Sequence, residues 1–131
     1  MKKIIAIIAG ALLATTLAGC GGSINASGIG DAISKADAYD DKIAVEVSGY
    51  YDGKHKERDN GDISFTIYEY GKDDGVDSLS DNATVTLKQG SSVEELADLK
   101  EGDFIKVKGT IPARQYRSDL YLSIQNAEIV K

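Results

Sequence analysis

With 131 residues, one cysteine and a formal charge of −6, the chain has room for one compact domain and excludes a disulfide framework or a cysteine-built metal site. Its 21 acidic against 15 basic residues repel polyphosphates over a Debye length, so nucleic acid, anionic polymers and anionic lipid headgroups are disfavoured as partners of the whole surface. Fourteen glycines, one proline and no tryptophan suit a small sheet protein with many turns.

The chain starts with Lys2 and Lys3, then an apolar run from Ile4 to Leu17 that closes on Leu17-Ala18-Gly19-Cys20. A positive start, a short apolar segment and small residues at its exit are what an export signal requires. A membrane-spanning helix needs roughly 20 apolar residues, more than this run supplies. The closing four residues resemble a bacterial lipobox, which implies cleavage before Cys20 and a thioether-linked diacylglycerol on its sulfur. Two or more acyl chains make such an anchor stable. The expected organisation is a lipoprotein signal peptide at 1–19, the lipidated cysteine and a flexible Gly/Ser-rich tether at 20–30, and the domain at 31–131. The expected location is the bacterial cell envelope, anchored to a membrane and facing the extracytoplasmic side. Loss of Lys2 and Lys3 leaves 13 basic residues against 21 acidic ones, a charge of −8.

Ala32, Ile33, Ala36 and Tyr39 recur at helical spacing behind Asp31, a residue able to cap free amides, which predicts a short helix over 31–40. Ile43, Val45, Val47 and Gly49 then alternate with Ala44, Glu46, Ser48 and Tyr50 in the two-residue period of a strand with one buried face. A long polar turn is expected over 52–62. Ile63, Phe65 and Ile67 predict a second strand running to Tyr70, followed by a solvated loop over 71–82. Val85 and Leu87 mark a third strand. Ser91 or Ser92 can cap a helix carrying Val93, Leu96, Ala97 and Leu99 on one side, with Glu94 and Glu95 at the positive end of its dipole. Glu101-Gly102-Asp103 stops it. Phe104 to Gly109 predict a fourth strand, a polar loop follows over 112–119, and a fifth strand begins at Leu120. Its apolar parity slips near Gln125 and Asn126, where a bulge is expected.

Five strands with a helix between the third and fourth make the order of an OB-fold, a small Greek-key barrel. From Ile43 to the end the chain resembles the tRNA-anticodon-binding-like OB-fold family of small bacterial lipoproteins. The resemblance rests on Ser48-Gly49 at the end of the first strand, on Leu99-Lys100-Glu101-Gly102-Asp103 leading into Ile105-Lys106-Val107-Lys108-Gly109-Thr110, and on the closing run from Leu120 to Ile129. These motifs describe architecture and carry no chemistry.

The resemblance implies a ligand face across the second and third strands, between the loops that join strands one to two and four to five. Lys54, His55, Lys56 and Arg58 fall in the first loop, and Arg114, Gln115, Tyr116 and Arg117 in the second. Ser64, Thr66, Tyr68 and Tyr70 would face outward between them, with Thr84, Thr86 and Lys88 alongside. Tyrosines can stack on sugars or bases, and hydroxyls and cations can hold polar ligands. The expected ligand set is therefore Lys54, Lys56, Arg58, Thr66, Tyr68, Tyr70, Lys88, Arg114, Tyr116 and Arg117. Wet loops also collect charge and strands collect tyrosine for structural reasons alone.

The aspartates at 73, 74, 77 and 81 lack the ordered alternation and closing glutamate of a calcium loop. His55 is the sole histidine and has no nucleophile to serve. The expectation is thus a binding module for a glycan, peptide or other envelope component, without enzymatic activity, cofactor or metal. The alternative is a structural or assembly partner of another envelope protein, and nucleic-acid binding ranks below both.

Overall fold

The computed structural model describes residues 23–73 and 75–130; the signal peptide read at 1–19 and the lipidation residue Cys20 lie outside them. In chain order the elements are strand β1 (Ser23–Asn25), helix α1 (Ile29–Ala36), strands β2 (Ile43–Glu57) and β3 (Ile63–Tyr68), a small hairpin of β4 (Gly71–Lys72) and β5 (Gly75–Val76), and strands β6 (Asn82–Leu87), β7 (Phe104–Ile111) and β8 (Leu122–Val130). Five strands close on themselves. β2 pairs with β3, β3 with β6, β6 runs parallel to β8, β8 pairs with β7, and β7 returns to β2. The protein is mostly β, a closed five-stranded barrel with one helix, consistent with an OB-like barrel.

Closure depends on β2 serving two neighbours in succession. Ile43 to Tyr50 pair with β7, and Tyr50 to Glu57 pair with β3. At the changeover Gly49 has no side chain, and a Cβ there would lie 3.1 Å from both Ile29 and Ile67. Strand alternation then fills the interior, as Ile43, Val45, Val47, Phe65, Ile67, Val85, Val107 and Ile124 are each at most 3% exposed. Leu122 joins them at 5%.

The parity slip in β8 is a bulge. Ile124 faces Val85 and Ala127 faces Leu87, so three steps on β8 match two on β6, and Asn126 adopts φ 54°. The extra residue returns Ala127 to the interior.

Other segments depart from expectation for identifiable reasons. The stretch read as a tether is structured from Ser23 onward: β1 runs parallel to β2, and Ile24 is buried at 4% exposure among the core residues. Helix α1 starts at Ile29 and not at Asp31, because its free amides are met from outside the segment. The Gly30 N–H donates to Glu69 Oε1 at 2.7 Å, which places a carboxylate at the positive end of the helix. Asp31 sits inside the first turn and accepts from the Ser27 N–H at 3.0 Å.

The long polar turn is half strand. Four steps from Tyr51 to His55 oppose two from Ile67 to Phe65, Gly53 takes φ 84° within that bulge, and β2 continues to Glu57. Between β6 and β7 the expected helix is reduced to one 3₁₀ turn, Val93–Leu96. Ser92 does cap it, with the reciprocal Glu95 bond in place. Leu96 is the one buried residue of this turn, with Val93 partly buried against the core. Beyond it, the Asp103 carboxylate takes the Lys100 amide at 2.9 Å and Gly102 turns at φ 90°, so helical bonding does not propagate.

Candidate ligand-binding face

Because inner residues of β3 and β6 alternate with outer ones, the outward positions of the two strands form a shared polar surface. Ser64 lies opposite Thr86, Thr66 opposite Thr84, and Tyr68 opposite Asn82. The rows extend sideways, with Lys56 of β2 beside Ser64, Tyr50 beside Tyr68, and Ser123 of β8 beside Thr84. Thr66, Tyr68, Thr84 and Thr86 are half-buried, and Ser64 is 7% exposed. Threonine is stiff at χ1, so this hydroxyl array is held in place by the sheet. It can donate and accept hydrogen bonds at fixed spacing along two strands.

At one edge of the barrel β2 and β3 join in an arm closed at its tip by the Arg58 N–H donating to Asp62 O at 2.8 Å. Every residue from Gly53 to Gly61 on it is exposed. Among the described residues the ion pairs are Lys35 with Asp31, Lys88 with Glu128, Lys106 with Glu46 and Arg114 with Asp40. Lys54, Lys56 and Arg58 are in none of these. Glu57 and Asp59 moderate their field, and Asp62 is engaged by the Gln89 amide.

The structure divides the residues expected to bind. Lys56, Thr66 and Tyr68 share the outer face, with Lys54 and Arg58 on the arm above it. Lys88 continues the β6 row, but its ammonium is held by Glu128 at 2.7 Å, and that bond draws the Glu128 carboxyl below its usual range. Tyr70 lies past the end of β3 and is 60% exposed.

Arg114 and Arg117 direct their guanidinium groups to the end of α1 and the connection after it. Arg114 Nε donates to Asp40 at 2.8 Å and its Nη2 to the Asp37 carbonyl. Arg117 donates to the carbonyls of Pro112, Ala36 and Asp41 at 2.8, 3.0 and 3.2 Å. Both guanidinium groups fasten the β7–β8 loop to the end of α1, and Tyr116 projects from that loop at 71% exposure. They flank a cleft of about 440 Å³, also bordered by Ile33, Asp37, Asp119 and Tyr121.

Two aromatic residues were not part of the expected set. Tyr50 and Phe104, neighbours across β2 and β7, have ring centroids 4.8 Å apart, and Phe104 is 61% exposed. The alternation of β2 places Tyr50 outward, but the pairing that brings Phe104 beside it is a matter of barrel register. Among the described residues no group of three or more His, Cys, Asp or Glu side chains is placed to hold a metal ion, and no helix is long and apolar enough to cross a membrane.

Fold and surface together define a five-stranded OB-like barrel with a hydroxyl- and tyrosine-bearing outer face below a basic arm. No protein-family model, curated protein or solved structure matches the chain.

Proposed function

We propose that this protein is a membrane-anchored, extracytoplasmic OB-fold lipoprotein that binds a glycan, peptide or other envelope component on the outer face of β3 and β6. The OB-fold assignment is supported by the strand order β2-β3-β6-β8-β7 returning to β2, with β6 and β8 parallel, and by the Ser48-Gly49 end of the shared β2–β7 pairing. It keeps the proposed kinship with the tRNA-anticodon-binding-like lipoprotein family at the level of architecture. The anchor is supported by the lipobox-like Leu17-Ala18-Gly19-Cys20.

The binding reading is carried by one observation: the rows Lys56-Ser64-Thr86 and Thr66-Thr84-Ser123 place hydroxyls in register beside Lys54, Lys56 and Arg58, which enter none of the ion pairs among the described residues. A polyhydroxylated or peptide ligand would use the hydroxyls for hydrogen bonds and Tyr68 for a flat apolar contact, with Lys54, Lys56 and Arg58 meeting any carboxylate it carries. No catalytic residue is assigned. The net charge of −8 weighs against a polyanion such as nucleic acid.

Titration of the isotope-labelled protein with envelope glycan and peptide fragments tests this. Shifts concentrated at Thr66, Tyr68, Thr84 and Lys56 are expected. Unmoved resonances there, together with crosslinking to a single envelope protein through Tyr50 and Phe104, would favour an assembly partner. The exposure of that aromatic pair is the feature that supports the assembly reading.

A further inference from the structure

We infer that the barrel lies directly on the membrane that anchors it, seated on its β7–β8 loop, with Tyr116, Leu120 and Tyr121 in the headgroup layer and the β2–β3 arm directed away. The inference rests on the reading of Cys20 as the lipid-bearing residue.

Only Gly21 and Gly22 separate Cys20 from Ser23, and Ser23 is already paired with Ala44. Three residue steps reach at most about 11 Å when fully extended. A lipidated Cys20 therefore holds Ser23 close to the bilayer whatever path the two glycines take. Ala44 also lies opposite Thr110, so the tethered end of the barrel is the one where β2 begins and β7 finishes.

The chain at that end includes residues 37–42 and 112–121, beside the β3–β6 connection that carries Glu69 and Asp81. The two segments are bound together by the Arg114 N–H donating to Asp40 O at 2.8 Å and by the Arg117 bonds to Ala36 and Asp41. The second of these segments exposes Tyr116 at 71%, Leu120 at 86% and Tyr121 at 41%. None of the three is needed to fill the interior. Tyrosine and leucine are residues that settle at a bilayer interface, about 5–10 Å into the headgroup and acyl boundary. Within these two segments Lys42, Arg114 and Arg117 offset all but one of Asp37, Asp40, Asp41 and Asp119; Glu69 and Asp81 of the neighbouring β3–β6 connection keep this end acidic, so the short tether and the exposed apolar side chains, and not charge, hold it to the bilayer. The arm tip stands at the far end of β2, roughly 45 Å of strand contour away.

The test uses the full chain, processed and lipidated in a bacterial host and reconstituted into phosphatidylcholine/phosphatidylglycerol vesicles. Since acylation consumes the Cys20 thiol, single cysteines introduced as Y116C, L120C or N60C accept an environment-sensitive fluorophore at one position each. With nitroxide-bearing lipid present, the probes at 116 and 120 are expected to lose most of their emission while the probe at 60 keeps it. A flexible Gly/Ser insert between Gly22 and Ser23 should weaken the quenching at 116 and 120. Vesicle-bound protein with all three probes equally unquenched would overturn the seating while leaving the anchor intact. Protein that does not float with vesicles and lacks the acyl mass on Cys20 would overturn the anchor, and the seating with it.

Discussion

Arg117 shows how a basic loop residue acts once the barrel is closed. Its three carbonyl partners come from its own loop, from the last residue of α1 and from the connection into β2. Each bond involves a charged donor, and truncation leaves the Ala36 carbonyl without that donor. Arg117→Ala should cost about 2–3 kcal/mol, read as a lower urea midpoint with an unchanged m-value, and should leave ligand-induced shifts at Tyr68 unaffected. Asp52 is the opposite case, a residue that works against the fold. Burial pushes its carboxyl above the usual aspartate range, opposed by the Lys54 amide and cation and reinforced by Glu101. The folded state thus takes up a proton more readily than the unfolded chain, and ionised Asp52 subtracts stability above its raised pKa. As pH falls toward the ordinary value of 3.8 this penalty fades. Asp52→Asn, which can still accept the Lys54 N–H, should raise the melting temperature at pH 7 and lose that advantage under acid conditions. For Asp31 the sign reverses: the Ser27 amide, then Lys35, pull its carboxyl down, so its contribution is present at neutral pH and is lost as pH falls through the lowered pKa.

At the scale of elements, β1 decides whether the segment after Cys20 is a spacer or part of the domain. Its three residues pair with Ala44, Val45 and Glu46, and Ile24 packs into the core at 4% exposure. Ile24→Ala should therefore cost about 2–4 kcal/mol in denaturant unfolding, whereas a residue in a solvated tether would change stability by less than about 0.5 kcal/mol. The connection between β6 and β7 teaches the converse. Ser92 and Glu95 form the capping box that their spacing predicts, yet a good cap does not make a long helix. Propagation needs an apolar stripe with something to cover it, and here Leu96 alone is fully covered while Val93 and Leu99 stay partly exposed. Near the arm, the bulge around Gly53 keeps β2 paired with β3 to Glu57, which sets Lys56 beside Ser64 on the outer face.

For the whole molecule, stability resides in one interior. Val107 is fully enclosed, opposite Val47 on β2 and Ile129 on β8. An aspartate there would bury an unpaired carboxylate, and Val107→Asp should exceed about 3 kcal/mol in cost, abolishing the cooperative melt seen by circular dichroism at neutral pH. The same interior explains what was legible beforehand. Period-two apolar residues named inward side chains on each of the five barrel strands, because alternation is a local property of extended backbone, while Tyr51 and Ile111 also turn inward beyond the stretches it marked. The bulge near Gln125 and Asn126 was legible for the same reason, as a break in that parity. The outer hydroxyls of β3 and β6 were legible as the complementary positions. What could not be read was anything set by pairing between distant segments. Glu69 caps a helix 39 residues away, β1 finds the free edge of β2, and Phe104 meets Tyr50 only once β7 lies beside β2. Arg114 and Arg117 looked like ligand residues because a wet loop is where cations are expected, and their acceptors on Ala36, Asp37, Asp40 and Asp41 lie more than seventy residues earlier. The sequence by itself determined which side of each strand faces inward. Only the tertiary structure decided which polar side chains remain free to bind, since a hydrogen bond between remote segments leaves no period in the chain.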